Sequence, residues 1–204
     1  MKRVGVLVSG RGSNLQALVD AAGRGELGGE VAVVVSNVEG APALERARAA
    51  GVPAVFHDHR GKKREDFDAE VVEILRARHV DLVCLAGFMR LLSPVFVRAF
   101  PGRILNIHPA LLPSFPGKDA QRQAWEHGAK VSGATVHLVD EGLDSGPIVA
   151  QEAVPVLDGD TEGALSARIL EAEHRLYPQA VRLMLEGRHR VEGRRLVFGP
   201  GTER

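Results

Sequence analysis

The chain has 204 residues, and its 26 Lys plus Arg balance its 26 Asp plus Glu. This balance provides no overall field that favours nucleic acid or an anionic membrane, although local charged patches remain open. The N-terminal MKRVGVLVSG is too short an apolar stretch for a signal peptide or a spanning helix, and it lacks a small-residue cleavage site. We predict a cytoplasmic protein with one domain over residues 1–204 and without nucleic-acid or membrane partners.

Short runs rich in Val, Ile and Leu alternate with longer segments of helical period, which is typical of a parallel sheet covered by crossover helices. The predicted strands are RVGVLVS, EVAVVVS, PAVF, DLVCLAG and RILNIH. The helices are predicted to begin near Ser13, Ala41, Asp66, Pro94 and Asp119. Asp66 and Ser93 are predicted N-caps, and Cys84, inside DLVCLAG, is predicted to be a buried packing residue rather than a nucleophile.

The pattern changes after about residue 130, where KVSGATVHLVD and GPIVAQEAVPV flank the turn EGLDSG. These runs predict an antiparallel hairpin. A last helix is predicted from an N-cap at Thr161 to about Leu185, with its end at Gly187 and an interruption near Pro178. The final GPGTER is predicted to fray.

The first predicted strand leads into SGRGSNLQ, residues 9–16. Gly10 and Gly12 let the backbone approach a ligand, and the helix N-terminus at Ser13 and Asn14 attracts an anion. A dinucleotide loop needs a third glycine and an acidic residue after the second strand, and a Walker loop needs a lysine; all are missing. The segment favours a phosphate monoester, with a nicotinamide or flavin cofactor and a ligand-free turn as alternatives.

Asn106 and His108 stand at the carboxyl end of RILNIH, where the side chains of a parallel strand face the ligand crevice. Because they are two residues apart, they point to the same side of the strand. An amide donates to a developing oxyanion, and an imidazole moves a proton near neutral pH. Without a nucleophile-elbow motif, the pair favours direct acyl transfer between two substrates, although a histidine here is also compatible with a backbone-bonded loop.

Two further groups of polar residues lie in predicted turns. Asp144 lies in DEGLDSGP, and a carboxylate beside an imidazole would orient the ring and raise its pKa, although most acidic turn residues are only solvated. The HDH stretch, residues 57–59, offers two metal-ligand types without a third nearby, so a solvated turn is favoured over a metal site.

Five segments together resemble the phosphoribosylglycinamide formyltransferase family: SGRGSNLQAL, AGFMRLLSP, LNIHPALLPSFPG, VHLVDEGLDSGPIVAQ and EHRLYP. They occur in the family's order and spacing over nearly the whole chain. The resemblance implies transfer of the formyl group of 10-formyltetrahydrofolate to the amine of glycinamide ribonucleotide in purine synthesis. It also implies a cytoplasmic, metal-free enzyme with a Rossmann-like sheet, in which about residues 1–100 bind the nucleotide and about residues 101–190 hold the catalytic groups and the folate.

The resemblance further implies roles for single residues. The substrate phosphate is assigned to Gly12, Ser13 and Asn14, and the ribose end of that substrate to Glu173. The folate is assigned to a longer set, namely Arg64, Met89, Arg90, Leu91, Leu92 and Asn106.

For the chemistry, the resemblance makes His108 the proton donor and Asp144 the carboxylate that raises its pKa, with Asn106 beside them. His137 is ranked as structural support, and Lys118 as an aid to an anionic group. Some family members carry histidines near positions 119 and 121, which here are Asp and Gln, so those histidines are not expected to be indispensable. The bond before Pro113 is a candidate for the cis form.

Three other functions compete with this assignment. A methionyl-tRNA formyltransferase would be expected to carry an extra C-terminal domain and a basic face, and a formyltetrahydrofolate hydrolase an N-terminal regulatory domain. A nucleotide-sensing module without catalysis would use the phosphate loop but leaves the pairing of Asn106 with His108 unexplained. The predicted partners are small-molecule substrates, and the predicted assembly is a monomer or a weak homodimer.

Overall fold

The computed structural model describes residues 1–199, so most of the GPGTER end lies outside the described residues. The strands are β1 (Lys2–Val8), β2 (Gly29–Ser36), β3 (Ala54–Phe56), β4 (Leu82–Leu85), β5 (Ile104–His108), β6 (Val131–Leu138), β7 (Ile148–Pro155), β8 (His189–Glu192) and β9 (Arg195–Phe198). The helices are α1 (Ser13–Gly23), α2 (Pro42–Ala49), α3 (Arg64–Ala77), α4 (Pro94–Ala99), α5 (Ala120–Glu126) and α6 (Glu162–Glu186).

All the described strands join one sheet in the order β3-β2-β1-β4-β5-β6-β7-β9-β8. Pairing is parallel from β3 across to β5, whereas β6 runs antiparallel to both β5 and β7. The chain moves outward from β1 to β3 and then returns to place β4 on the other side of β1. The predicted mostly parallel sheet with an antiparallel hairpin is confirmed, and its strand order reverses between β1 and β4.

Helices cover both faces of the sheet because successive strand residues point to opposite sides. On one face, α1, α2 and α6 pack over β1 and β4 through Leu15, Leu18, Leu44, Tyr177 and Val181. On the other face, α3 and α4 contribute Phe67, Val71, Leu75 and Phe96. Cys84 lies inside the first core as predicted, and burial raises the pKa of its thiol to about 12. Across the described residues, none of the helices combines the length and apolar character needed to cross a membrane.

Helix α6 runs without a break past Pro178, so the predicted interruption is wrong. Its ends match the prediction, because the Thr161 side chain accepts from the Ala164 N–H and Gly187 adopts the left-handed conformation. A proline inside a helix costs about 3 kcal/mol. Burial of one large apolar side chain contributes about 1.5–3 kcal/mol, so the flanking buried residues Tyr177 and Val181 together offset that cost.

One further prediction about local structure needs correction, and one element was missed. Helix α3 begins at Arg64, and its N-cap is Lys63 rather than Asp66. The Phe67 N–H donates to the Lys63 carbonyl at 3.0 Å, so the helix already includes Arg64, Glu65 and Asp66. Asp66 lies in the first turn, where its charge favours the helix dipole. The hairpin of β8 and β9 was not predicted, because its strands are short and rich in charge.

The hydroxyl of Tyr177 supports the centre of the sheet. It donates to the Leu85 carbonyl at 2.8 Å and lies 3.2 Å from the Leu105 carbonyl, so from α6 it reaches the last residue of β4 and the second residue of β5. We expect Tyr177→Phe to lower the free energy of unfolding by about 0.5–1.5 kcal/mol, because it removes a fully buried hydrogen bond that water does not replace. Urea denaturation measures this loss.

Trp125→Phe is the matched control for that variant. The Trp125 indole also donates to a carbonyl, that of Asp160 at 2.7 Å, but its side chain is 42% exposed, so water replaces the lost partner. Equal losses of stability in the two variants would contradict the structural role given to the Tyr177 hydroxyl.

Candidate active site

The carboxyl ends of β1, β4 and β5 meet at one edge of the sheet. The loop after β1 carries the predicted phosphate segment, residues 10–14, and the loop after β4 carries the predicted folate segment, residues 89–92. Strand β5 ends at His108 beside them. Ligands of open α/β sheets bind where the strand order reverses, so the three predicted elements of the site converge where such a crevice is expected.

The phosphate segment turns sharply into α1 at Gly12, which has a φ of 75°. A Cβ atom at this position would lie 2.6 Å from the Cβ of Ala43, so both the backbone conformation and the close approach of α2 require glycine. The first turn of α1 contains no acidic residue, and no side chain caps it. Its free N–H groups are therefore available to an anion such as a phosphate.

Asn14 connects the phosphate segment with α6. Its Nδ2 donates to Glu173 Oε2 at 3.2 Å, while its buried Oδ1 has no hydrogen-bond partner in the described structure. Glu173 is only 6% exposed, and burial raises the pKa of its carboxyl to about 7, although the Asn14 amide lowers it. The structure thus brings together two residues that are far apart in sequence and were assigned to the same substrate.

The folate segment is exposed at its apolar side chains, with Met89 at 77% and Leu91 at 62%. Arg90 behaves differently: its guanidinium carbon lies 4.9 Å from the centre of the Phe67 ring, and its Nε is buried without a partner. Arg64 lies on α3 one turn before Phe67, with its guanidinium 3.6 Å from Glu65. Leu92 ends the segment and packs against the core under α3 and α4.

Asn106 is held by a residue on the neighbouring strand. In the antiparallel pairing of β5 with β6, Asn106 stands opposite His137, and its Nδ2 lies 3.3 Å from His137 Nε2. The other ring nitrogen of His137, Nδ1, contacts the Leu138 carbonyl at 2.9 Å and must carry a proton to donate there. Contact with His137 Nε2 engages at most one N–H of the Asn106 amide, so the other N–H stays free.

His108 has an acceptor at each ring nitrogen. Nε2 lies 2.8 Å from the Phe115 carbonyl, and Nδ1 lies 3.4 Å from Asp144 Oδ2. Because both partners are acceptors, the geometry satisfies the doubly protonated imidazolium. Phe115 and Asp144 both have positive φ values, 52° and 48°, so two strained residues hold this ring.

The net pKa of His108 results from opposing effects. Burial lowers it below the ordinary value, and this effect exceeds the raising effects of the Phe115 carbonyl and the Asp144 charge. Asp144 acts in the predicted direction, and the burial that outweighs it is visible only in the tertiary structure, where His108 is 4% exposed. The pKa of Asp144 is also lowered: burial would raise it, but His137, the Gly117 N–H and His108 outweigh that effect.

The remaining predictions for this region have mixed outcomes. The Leu112–Pro113 bond is cis, as suggested. Lys118 is exposed, and its carbonyl accepts from Gln123, so its assigned role stays a prediction. His57 contacts Glu70 and His59 contacts Asn37. Within residues 1–199, no group of three or more His, Cys, Asp or Glu side chains is arranged to hold a metal ion.

Sequence reasoning underrated His137 and missed Phe115. It also missed Ser9, which contacts Asn37, Gly87 and Met89. His137 Nε2 lies 3.6 Å from Asp144 Oδ1 as well as 3.3 Å from the Asn106 amide, so it joins two predicted catalytic residues. Strand alternation was an available signal, because His137 and Thr135 are two residues apart and lie on the same face of β6. In the structure Thr135 pairs with His108, and His137 pairs with Asn106. The contribution of Phe115 comes from its carbonyl, which no sequence pattern reports.

The position of Asp144 predicts a change in the titration of His108. In Asp144→Asn the charge that raises the pKa of His108 is lost while burial remains, so we expect that pKa to fall further. The asparagine oxygen can still accept from the Gly117 N–H. NMR titration of the imidazole resonances measures the effect. Asp140→Asn, in the same loop but bonded to Ser145 and Gly142, should leave the titration unchanged.

Glu173 predicts a pH dependence of stability. Its folded-state pKa of about 7 exceeds the ordinary 4.5, so the folded protein holds this proton more tightly than the unfolded chain. The resulting stability is present at low pH and is lost as the pH rises from about 4.5 through 7. We expect Glu173→Gln to gain stability over the parent protein as the pH is raised from 5 to 8, in urea unfolding. A difference between the two proteins that stays constant with pH would contradict the shifted pKa.

The sequence is similar to those of known proteins. The phosphoribosylglycinamide formyltransferase of Escherichia coli strain K12 is 45% identical over 184 residues, covering 90% of this chain and 87% of the relative. The trifunctional purine biosynthetic protein adenosine-3 of Drosophila melanogaster is 51% identical over 189 residues, covering 91% of this chain, and the chain spans 14% of that relative's length.

The fold is also similar to that of a known protein. The crystal structure of glycinamide ribonucleotide transformylase 1 from Symbiobacterium toebii aligns with a TM-score of 0.95 and 57% identity, covering 97% of this chain and 94% of that chain. A family model described as formyl transferase matches residues 2–181. The chain therefore belongs to the formyl transferase family.

Proposed function

We propose that this protein transfers the formyl group of 10-formyltetrahydrofolate to the amine of glycinamide ribonucleotide, N1-(5-phospho-D-ribosyl)glycinamide, in purine biosynthesis. One observation carries the proposal: Asn106, His137, Asp144 and His108 form a continuous polar cluster at the end of β5. The phosphate segment, residues 10–14, and the folate segment, residues 89–92, lie at the same edge of the sheet. The names of the relatives from Escherichia coli and Symbiobacterium toebii support the same reaction.

Unpartnered buried atoms support both substrate assignments. Asn14 Oδ1 in the phosphate segment and Arg90 Nε in the folate segment are buried without a partner in the described structure. A buried polar atom without a partner costs about 1–3 kcal/mol, so a ligand that supplies the missing bond gains affinity. Glycinamide ribonucleotide would bind at residues 12–14 and Glu173, and the folate along residues 89–92 with Arg64 at its acidic portion.

The reaction begins when the amine nitrogen attacks the formyl carbon, and the carbonyl electron pair moves to oxygen. The second N–H of the Asn106 amide, which His137 does not use, is available to this oxyanion. Protonated His108 provides a positive charge and a proton near the same oxygen. Breakdown of the tetrahedral intermediate breaks the bond to the folate nitrogen, which takes up a proton while the new amide nitrogen loses one.

His108 must exchange a contact to take part. Both of its ring nitrogens face protein acceptors, Phe115 O at 2.8 Å and Asp144 Oδ2 at 3.4 Å, so one must turn to the substrate. Because burial lowers the pKa of His108, the protonated form depends on the Asp144 charge, and Asp144→Asn should shift the activity profile to lower pH.

A steady-state assay of folate absorbance tests the proposal. The parent protein should deformylate 10-formyltetrahydrofolate only when glycinamide ribonucleotide is present. Asn106→Ala removes one oxyanion donor, so we expect kcat to fall by about a hundredfold to a thousandfold with a small change in KM for the ribonucleotide. Gly12→Ala is the complementary variant, because the clash with Ala43 should raise that KM much more than it lowers kcat.

The competing functions give different results in the same assay. Deformylation without the amine acceptor would identify a formyltetrahydrofolate hydrolase. Absence of turnover together with binding of the ribonucleotide would identify a nucleotide-binding module and contradict the proposal. The assignment to the cytoplasm, the division into a nucleotide half and a folate half, and a monomer or weak homodimer are part of the same proposal and rest on the sequence.

A further inference from the structure

Ser9 joins the loops that follow three different strands. It is the first residue after β1, and its N–H donates to the Gly87 carbonyl in the loop after β4 at 3.1 Å. Its hydroxyl donates to Asn37 Oδ1, just after β2, at 2.6 Å. The same hydroxyl accepts the N–H of Met89 at 2.9 Å. One side chain therefore stands between the root of the phosphate segment and the start of the folate segment.

The phosphate segment is anchored on its other side by α2. The Ala43 N–H donates to the Gly10 carbonyl at 3.1 Å, and Arg46 Nε donates to the Arg11 carbonyl at 2.8 Å. The backbone of this segment is thus held between α2 and Ser9. A phosphate bound at its end would restrict the same backbone to which the folate segment is attached.

The folate segment has few other supports. Beyond the hydrogen bond of Met89 to Ser9, its far end is held where the Ser93 N–H donates to Asp68 Oδ2 at 2.6 Å, and between these points Arg90 lies over Phe67. Met89 and Leu91 are mostly exposed. Ordering such a segment costs conformational entropy, and a hydrogen bond at its first residue reduces the cost that the folate must meet on binding.

We propose that Ser9 is a positioning residue that couples the two substrates, so that binding of the ribonucleotide phosphate strengthens binding of the folate through the Ser9 hydroxyl. This inference rests on the proposed function, since it takes residues 10–14 as the phosphate site and residues 89–92 as the folate site. A phosphate that fixes residues 10–14 also fixes the hydroxyl that orders Met89. By linkage, the folate must strengthen binding of the ribonucleotide by the same factor.

Asp68 provides an internal comparison. Its carboxylate holds the far end of the folate segment from α3, which has no hydrogen bond to the phosphate segment among those described. Weakening this support should reduce folate affinity equally with and without the ribonucleotide. Ser9 and Asp68 therefore separate coupling of the two sites from general support of the folate segment.

The experiment measures the dissociation constant of 5-deazatetrahydrofolate, which carries no formyl group, by titration calorimetry with and without saturating glycinamide ribonucleotide. We expect the ribonucleotide to tighten folate binding by about fivefold or more in the parent protein, within the usual range of coupling between sites. Ser9→Ala keeps the backbone bond to Gly87 and loses only the hydroxyl, so this ratio should fall by about threefold. Ser9→Thr, which keeps a hydroxyl, should restore it.

Asp68→Asn is the control, because its amide oxygen can still accept from Ser93 with less strength. We expect weaker folate binding but an unchanged ratio. Ser9→Cys is a second test with a poorer acceptor of similar size, and it should lower the ratio as Ser9→Ala does.

The outcomes separate this inference from the proposed function. A parent protein that binds no ribonucleotide would refute the proposed function itself. If both ligands bind but the ratio is one in the parent protein, or is the same in Ser9→Ala, the coupling role of Ser9 is overturned while the proposed function stands.

Discussion

The parallel pairing of β1 with β2 on one side and β4 on the other is the constraint on which the rest of the site depends. Because all these strands point the same way, their following loops meet at one edge, and Ser9 can contact both Asn37 and Gly87. Each predicted substrate segment is then held by groups outside itself: Gly12 by the close approach of Ala43, and Met89 by the Ser9 hydroxyl. A binding edge thus arises from sheet topology before any ligand is present.

The switch to antiparallel pairing at β6 assembles the polar cluster of Asn106, His137, Asp144 and His108. It places His137 opposite Asn106, and the loop between β6 and β7 returns Asp144 to His108. His108 is buried, so its charge is costly and depends on its acceptors. Backbone strain at Phe115 and Asp144, of order 1–3 kcal/mol each, is the cost of directing two acceptors at one ring. The protein therefore holds a histidine whose proton is disfavoured by burial and favoured by geometry.

Local sequence patterns identified much of this fold. Apolar runs bounded by glycine located β1 to β5, and the Thr161 cap and Gly187 located the ends of α6, since these signals are local. The predictions were wrong where tertiary packing determines the local structure. Pro178 is tolerated because α6 is buried on both sides of it, and α3 begins at Arg64 rather than at Asp66, with Phe67 near its start packed into the core. The charged strands β8 and β9 form by pairing with each other, and β9 also joins β7.

By itself, the sequence determined the alternation that makes a parallel sheet, the glycine-rich turn at Gly12 and the two-residue spacing that puts Asn106 and His108 on one side of a strand, because each depends only on neighbouring residues. Only the tertiary structure decided the pairing of Asn106 with His137, the burial that lowers the pKa of His108 and the hydrogen bond from Met89 to Ser9. These depend on strand order and on the exclusion of water, which are properties of the packed sheet and are not encoded in any short segment.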